Sequence, residues 1–196
     1  MCIRDRAKTI GLGVMYGMGY KKLAVDLDIS PKEAKAMLTQ FREKVPFMQG
    51  MLEAVMHRAN KVGSIRTYLG RRCKFDLWEP NWFEMDPVTK QPVFHKALPH
   101  NEAVVKWGGA IKRAGTYKAL NRLIQGTAAD QTKKAMVDIY EKLNLIPLIQ
   151  VHDELNCSVK SDIMAGEIKN IMENCVKLEV PTKVDYKTKA NWGDAK

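Results

Sequence analysis

No stretch of the 196-residue sequence approaches the ~18 consecutive apolar residues that a membrane-spanning helix needs. The opening residues, MCIRDRAKTI, lack an apolar core followed by a small-residue cleavage site, which argues against secretion. Cysteine is sparse and scattered: Cys2, Cys73, Cys157 and Cys175 form no CxxC pair and have no histidine at metal-ligand spacing. That excludes a disulfide framework or a zinc site and predicts reduced thiols in a cytoplasm. Repeats and low-complexity tracts are missing too, so neither a solenoid nor a disordered tail is expected. Acidic residues are the short side of the charge balance: 22 Asp and Glu against 32 Lys and Arg leave +10, with a pI near 9.4. Such an excess favours a polyanionic partner through counterion release, although a merely basic soluble protein has the same composition.

What is present describes an ordinary globular chain, 45% hydrophobic and 28% charged. Its length suffices for one core, or for two small lobes sharing one. Residues 7–19 read as a helix that stops at Gly17 and Gly19. Ser30-Pro31-Lys32-Glu33 is a helix start, with Ser as N-cap, Pro in the first turn and Glu completing a capping box, and this helix is expected to run to about Lys44. Another is expected from Pro46 to Gly63, with Met48, Leu52, Val55, Met56 and Ala59 on one face. Residues 64–75 look extended around a turn at Gly70. Residues 76–100 hold Pro80, Pro87, Pro92 and Pro99 beside Trp78, Trp82 and Phe83, and read as a long irregular insertion with some aromatic packing of its own. Helical periodicity returns over 101–143 and ends at Pro147. LIQVHDELNCSV then reads as two short strands around a tight turn. An amphipathic helix over about 162–178 and a strand near Thr182–Tyr186 complete an α+β class, mostly helix with a small antiparallel sheet.

Three constellations carry chemistry. Arg4, Lys8, Leu12 and Tyr16 recur every four residues, forming one slowly drifting stripe on a helix. Cationic turns at one end suit a triphosphate, and an apolar and an aromatic turn at the other suit a sugar or base. Gly11, Gly13 and Gly17 leave room for close approach. An amphipathic helix with solvated basic ends would show the same spacing. In the long helical region Asn121 and Gln125 lie one turn apart, followed by small residues up to Asp130. Amide side chains both donate and accept, as reading the degenerate edge of a minor groove requires; tight packing of a small-residue patch is the alternative. The third constellation is Val151-His152-Asp153-Glu154-Leu155, where Leu155, Cys157 and Val159 alternate with Glu154, Asn156 and Ser158, the pattern of a half-buried strand. Two adjacent carboxylates at a hairpin tip repel one another unless a cation lies near, and a divalent metal bridging phosphates suits them. A solvated turn is the bland reading.

Taken in order, these motifs resemble the family A DNA polymerases. Arg4, Lys8, Leu12-Gly13 and Tyr16-Gly17 are similar to the family's motif B, R-x3-K-x3-(F/Y/L)-G-x2-Y-G. Asn121 with Gln125 to Asp130 resembles its N-x3-Q-G-T-A-A-D helix, Val151 to Glu154 its motif C, and Thr67 to Arg72 its T-x-x-G-R-R stretch between fingers and palm. The resemblance implies that Arg4 and Lys8 meet the phosphates of the incoming nucleotide, with Lys8 placed to protonate the leaving pyrophosphate. It implies that Leu12 and Tyr16 line the pocket for its sugar and the templating base. Thr67, Arg71, Arg72, Asn121, Gln125 and His152 would contact DNA. Asp153 and Glu154 would hold two Mg²⁺ ions, and Lys8, His152, Asp153 and Glu154 would form the catalytic set. Fingers helices are expected over 1–63, a connecting segment and insertion over 64–100, and the C-terminal part of the palm over 101–196. Primer-template DNA and deoxynucleoside triphosphates are the implied partners of a monomer, in a bacterial cytoplasm or a phage-infected host.

The sequence departs from the family pattern in three places. Motif A, whose aspartate supplies the other metal-bridging carboxylate, lies upstream of motif B in the family and is absent here, so the chain alone is not expected to polymerise. Position 12 is Leu where many members carry Phe or Tyr, and Tyr117 stands where an Arg often precedes Asn121 by one turn. Two rivals share some of these features. A phage-type single-subunit RNA polymerase should lack both the Glu after His-Asp and the QGTAAD helix, and a non-catalytic nucleic-acid-binding module has no chemical reason to keep Lys8, Asp153 and Glu154.

Overall fold

The computed structural model describes residues 3–15 and 17–195; the side chains of residues 3, 4, 14 and 195 lie outside the description. The fold is α+β, with seven α-helices and seven short strands among the described residues. Cα packing divides it into two compact units, residues 1–124 and 125–196.

The first unit begins with α1 (Ile3–Met15) and α2 (Tyr20–Leu27). The latter is a helix that the sequence reading did not anticipate. It ends on Asp28 in the left-handed region (φ 53°), where the Asp28 and Ile29 amides return to the carbonyls of Val25 and Ala24. Helix α3 (Pro31–Lys44) starts at the expected capping box. Ser30 Oγ accepts from the Glu33 amide, and the Glu33 carboxylate accepts from the Ser30 amide at 2.9 Å. The Ser30 hydroxyl also donates to this carboxylate at 2.7 Å, and together with the Ser30 amide it holds the Glu33 carboxyl below its ordinary value. Leu23, Ala24, Leu27, Ala34 and Leu38 bury the α2–α3 interface, with Ile10 and Met18 packed against it. Helix α4 (Pro46–Val62) ends at Gly63, whose φ of 71° only glycine adopts without strain.

Strands β1 (Ser64–Arg66) and β2 (Arg72–Lys74) pair antiparallel, Ile65 opposite Cys73, as the Gly70 turn predicts. Residues 76–100, expected to be an irregular insertion, carry two strands. Strand β3 (Leu77–Pro80) is the centre of a three-stranded antiparallel sheet, flanked by β4 (Leu98–Pro99) and β5 (Ile111–Arg113). Within the loop between β3 and β4, Asp86 Oδ1 accepts from the amides of Val88 and Thr89, which holds its carboxyl below the ordinary value. The rings of Trp82, His95 and Trp107 meet edge to face, as do those of Trp78 and His100. The single helix expected from 101 is in fact α5 (His100–Trp107), then a break at Gly108 and strand β5, and only then α6 (Ala119–Leu143). Ala59, Ile65, Phe75 and Ala119 bury the junction of α4, the β1–β2 hairpin and the start of α6.

The second unit holds the remainder of α6, the hairpin of β6 (Ile149–Val151) and β7 (Glu154–Asn156), and α7 (Asp162–Asn174). Its core is Ile139, Ile168 and Ile171, with Leu155, Cys157 and Val159 packed on them. The strand expected near Thr182–Tyr186 does not form. That segment is instead tied to helices by side chains: Gln131 Nε2 donates to Thr182 Oγ1 at 3.1 Å, and the Val184 amide donates to Glu173 Oε1 at 2.9 Å.

Candidate active site

Helix α1 carries the basic stripe. Lys8 is exposed on it and Leu12 is half-buried, while the Arg4 side chain and Tyr16 lie outside the described residues. Of the three glycines expected to bare this surface, Gly11 faces open space, but a Cβ on Gly13 would meet Met18 Sδ at 3.0 Å. Gly17 (φ 70°) lies against the 3-10 turn Thr116–Lys118 that leads into the long helix: a Cβ there would sit 3.4 Å from the Tyr117 carbonyl oxygen. The unit thus brings the end of the lysine-bearing helix to within one turn of Asn121.

The 67–71 turn is built by Thr67. Its hydroxyl accepts from the Arg71 amide at 3.0 Å, its amide donates to the Arg71 carbonyl, and it is buried. Thr67 therefore shapes the turn, and Arg71 and Arg72 are the side chains that reach the surface. On α6, Asn121 is half-buried and Gln125 exposed, one turn further along.

In the second unit, Val151 pairs with Glu154, leaving His152 and Asp153 as the two-residue loop of the hairpin. His152 takes the left-handed conformation at φ 55°, which a tight two-residue turn demands and glycine usually supplies. Gln150, a residue the motif reading passed over, braces this loop by donating from Nε2 to the His152 carbonyl at 3.1 Å. His152, Asp153 and Glu154 are all exposed. The half-buried pattern expected here belongs to β7 and the residues after it. Leu148, Ile149 and Val151, on the other side of the tip, stay exposed. Cys157 is half-buried against the core, and that burial pushes its thiol up.

The donor chemistry suits a hard divalent cation: two adjacent carboxylates lie at one exposed tip, offering oxygens and no thiolate or imidazole cluster. Among the described residues no group of three metal-ligating side chains comes together.

A sequence model of DNA polymerase family A matches residues 2–194. The chain belongs to DNA polymerase family A. A DNA-directed DNA polymerase of Pseudomonas phage M6 is 34% identical over 224 residues, which covers 97% of this chain and 29% of that protein. The thermostable DNA polymerase I of Thermus aquaticus is 30% identical over 200 residues, covering 99% of this chain and 21% of that protein. Among solved structures, the POL domain of Pol1 from M. smegmatis, in complex with DNA primer-template and dNTP, superposes with a TM-score of 0.64. It is 28% identical, and the match covers 91% of this chain and 28% of that one. This family A chain therefore spans less than a third of the length of the relatives it matches.

Proposed function

We propose that this chain is the fingers and C-terminal palm portion of an enzyme that performs template-directed DNA synthesis, with fingers helices over 1–63 and palm from 101 onward. The observation that carries the reading is the β6–β7 hairpin. Its two-residue loop, strained at His152 and braced by Gln150, presents the Asp153 and Glu154 carboxylates at a fixed, exposed tip. A plain solvated turn has no need of a histidine at positive φ followed by two adjacent acids.

The reaction joins a primer 3′-hydroxyl to the α-phosphate of a deoxynucleoside triphosphate, and pyrophosphate leaves. Asp153, with Glu154 beside it, would hold Mg²⁺ together with an upstream carboxylate. When bound, the metal supplies charge stabilisation to the attacking and leaving oxygens. Lys8 neutralises the triphosphate and is placed to give a proton to the leaving pyrophosphate; Arg4 adds a second positive charge one turn away. Leu12 and Tyr16 line the sugar and base pocket. Arg71 and Arg72 hold the DNA backbone, Asn121 and Gln125 read the minor-groove edge where acceptors recur at every base pair, and His152 sits at the primer end. The partners are then primer-template DNA and the four deoxynucleotides, in a bacterial cytoplasm or an infected host cell.

The test is extension of a primed template by the chain completed with the upstream part of a related polymerase. Lys8→Ala is expected to lower kcat by at least ~100-fold while primer-template affinity stays within about twofold. Equal kcat in Lys8→Ala and the parent would remove the phosphate-handling role from Lys8.

A further inference from the structure

Arg122 follows Asn121 on α6, and its side chain does not simply extend into solvent. Its guanidinium carbon lies 4.9 Å from the centroid of the Phe75 ring, and Nη1 donates to the Lys74 carbonyl at 3.4 Å and contacts Cys73 Sγ at 3.9 Å. Phe75 is buried, at 3% exposed. Its amide donates to the Gly63 carbonyl at 2.8 Å, and its carbonyl accepts from Arg113 Nη1 at 2.9 Å. Arg113 in turn donates from Nε to the Asn60 carbonyl at the end of α4 and stacks over Trp78 at 4.6 Å. Two arginines thus grip residues 73–75 from opposite elements, Arg113 from β5 and Arg122 from α6. Flat stacking combined with a directed N–H is something a guanidinium does and an ammonium does not.

The gripped strand matters because of what precedes it. Cys73 and Lys74 belong to β2, whose first residue is Arg72, paired with Arg66 across the hairpin. Arg122 therefore ties the strand carrying Arg72 directly to the helix carrying Asn121. We propose that Arg122 is a positioning residue for primer-template binding, setting the β1–β2 hairpin and its Arg72 at a fixed distance from the Asn121 turn of α6 so that one duplex meets both. This rests on the reading of the chain as a primer-template binder. The competing role for an exposed arginine at this place is a phosphate contact of its own, and the two roles differ in what a second mutation does.

The experiment is a double-mutant cycle on the chain completed with the upstream part of a related polymerase. Binding of a fluorescent primed DNA hairpin is followed by anisotropy over a range of salt concentrations, with thermal melts confirming that each variant is folded. Positioning predicts that Arg122→Ala weakens binding about threefold or more, that Arg122→Lys weakens it as much, and that Arg72→Ala/Arg122→Ala binds no more than about twofold worse than Arg72→Ala alone. Three results would each overturn it: full rescue by Arg122→Lys, multiplicative losses in the double variant with a salt slope shallower by about 1 for each arginine removed, or no effect of Arg122→Ala. If the completed parent polymerase does not bind the hairpin at all, the primer-template reading itself fails and carries this inference with it, a result distinct from the other three.

Discussion

At the scale of single residues, backbone conformation and burial decide the sharpest expectations. Gly63 combines a φ of 71° with a space already filled: a Cβ there would lie 2.7 Å from the guanidinium carbon of Arg113. Gly63→Ala is therefore expected to cost at least ~1 kcal/mol, from the left-handed backbone alone, and more if Arg113 is displaced from the Asn60 and Phe75 carbonyls. A thermal melt of the variant against the parent measures this, and an unchanged melting temperature would contradict it. The thiols of Cys157 and Cys175 are pushed up chiefly by burial. Since the thiolate is the reactive form, both should alkylate more slowly at pH 8 than an unhindered thiol in the unfolded chain, and should catch up in denaturant. Mass spectrometry of iodoacetamide-treated protein reports each site separately.

Among the elements, α3 gives the cleanest case. Ser30→Ala removes the acceptor for the Glu33 amide and should cost ~1 kcal/mol, read as a lower midpoint in urea. Acid acts on the same cap. The carboxyls of Glu33 and Asp86 are both held below their ordinary values, Glu33 by the Ser30 hydroxyl and amide and Asp86 by the Thr89 and Val88 amides. A group with a depressed folded value contributes stability above its unfolded value and loses that contribution as pH falls through the folded one. Stability should accordingly drop as pH is lowered from about 5 to about 3, and Glu33→Gln should narrow the difference. Urea midpoints at the two pH values check both parts.

The elements also show where sequence was legible. The Ser30–Glu33 cap, the Gly63 stop, the Gly70 turn and the two-strand reading of residues 148–159 rest on local chemistry, and all four appear in the structure. The three-stranded sheet within 76–113 did not, because β3 and β4 end in prolines that normally disqualify a strand, and β5, the other partner of β3, lies beyond a helix. The break after Trp107 was hidden for a related reason. Gly108-Gly109 interrupts helical periodicity for too few residues to register as an end, yet Gly108 takes φ 68° there. The failed C-terminal strand was predicted from composition, whereas pairing depends on an available edge. In the site, Lys8, Leu12, Asn121 and the His152-Asp153-Glu154 tip lie on the elements expected of them. Thr67 instead turned inward to build its turn; Arg113 and Arg122 were invisible as isolated polar residues because their roles exist only through distant carbonyls and rings, and Gln150 because its bond depends on the fold of the hairpin loop.

At the scale of the whole molecule, the chain matches only a minor share of the length of its relatives. It spans 29% of the phage M6 polymerase and 21% of the Thermus aquaticus one, and it carries a net charge of +10 that suits a nucleic-acid partner. The central claim is that the hairpin tip is a metal-holding arm of a nucleotidyl-transfer site. Its most direct test is a Mg²⁺ titration of primer extension by the completed polymerase, parent against Asp153→Asn, with primer-template affinity measured alongside. Asp153→Asn keeps the size of the side chain and removes its charge. The account predicts that template-directed extension falls by at least ~1,000-fold at every Mg²⁺ concentration while DNA affinity stays within about threefold. Extension by Asp153→Asn at the parent's rate, with the same Mg²⁺ dependence, would contradict it.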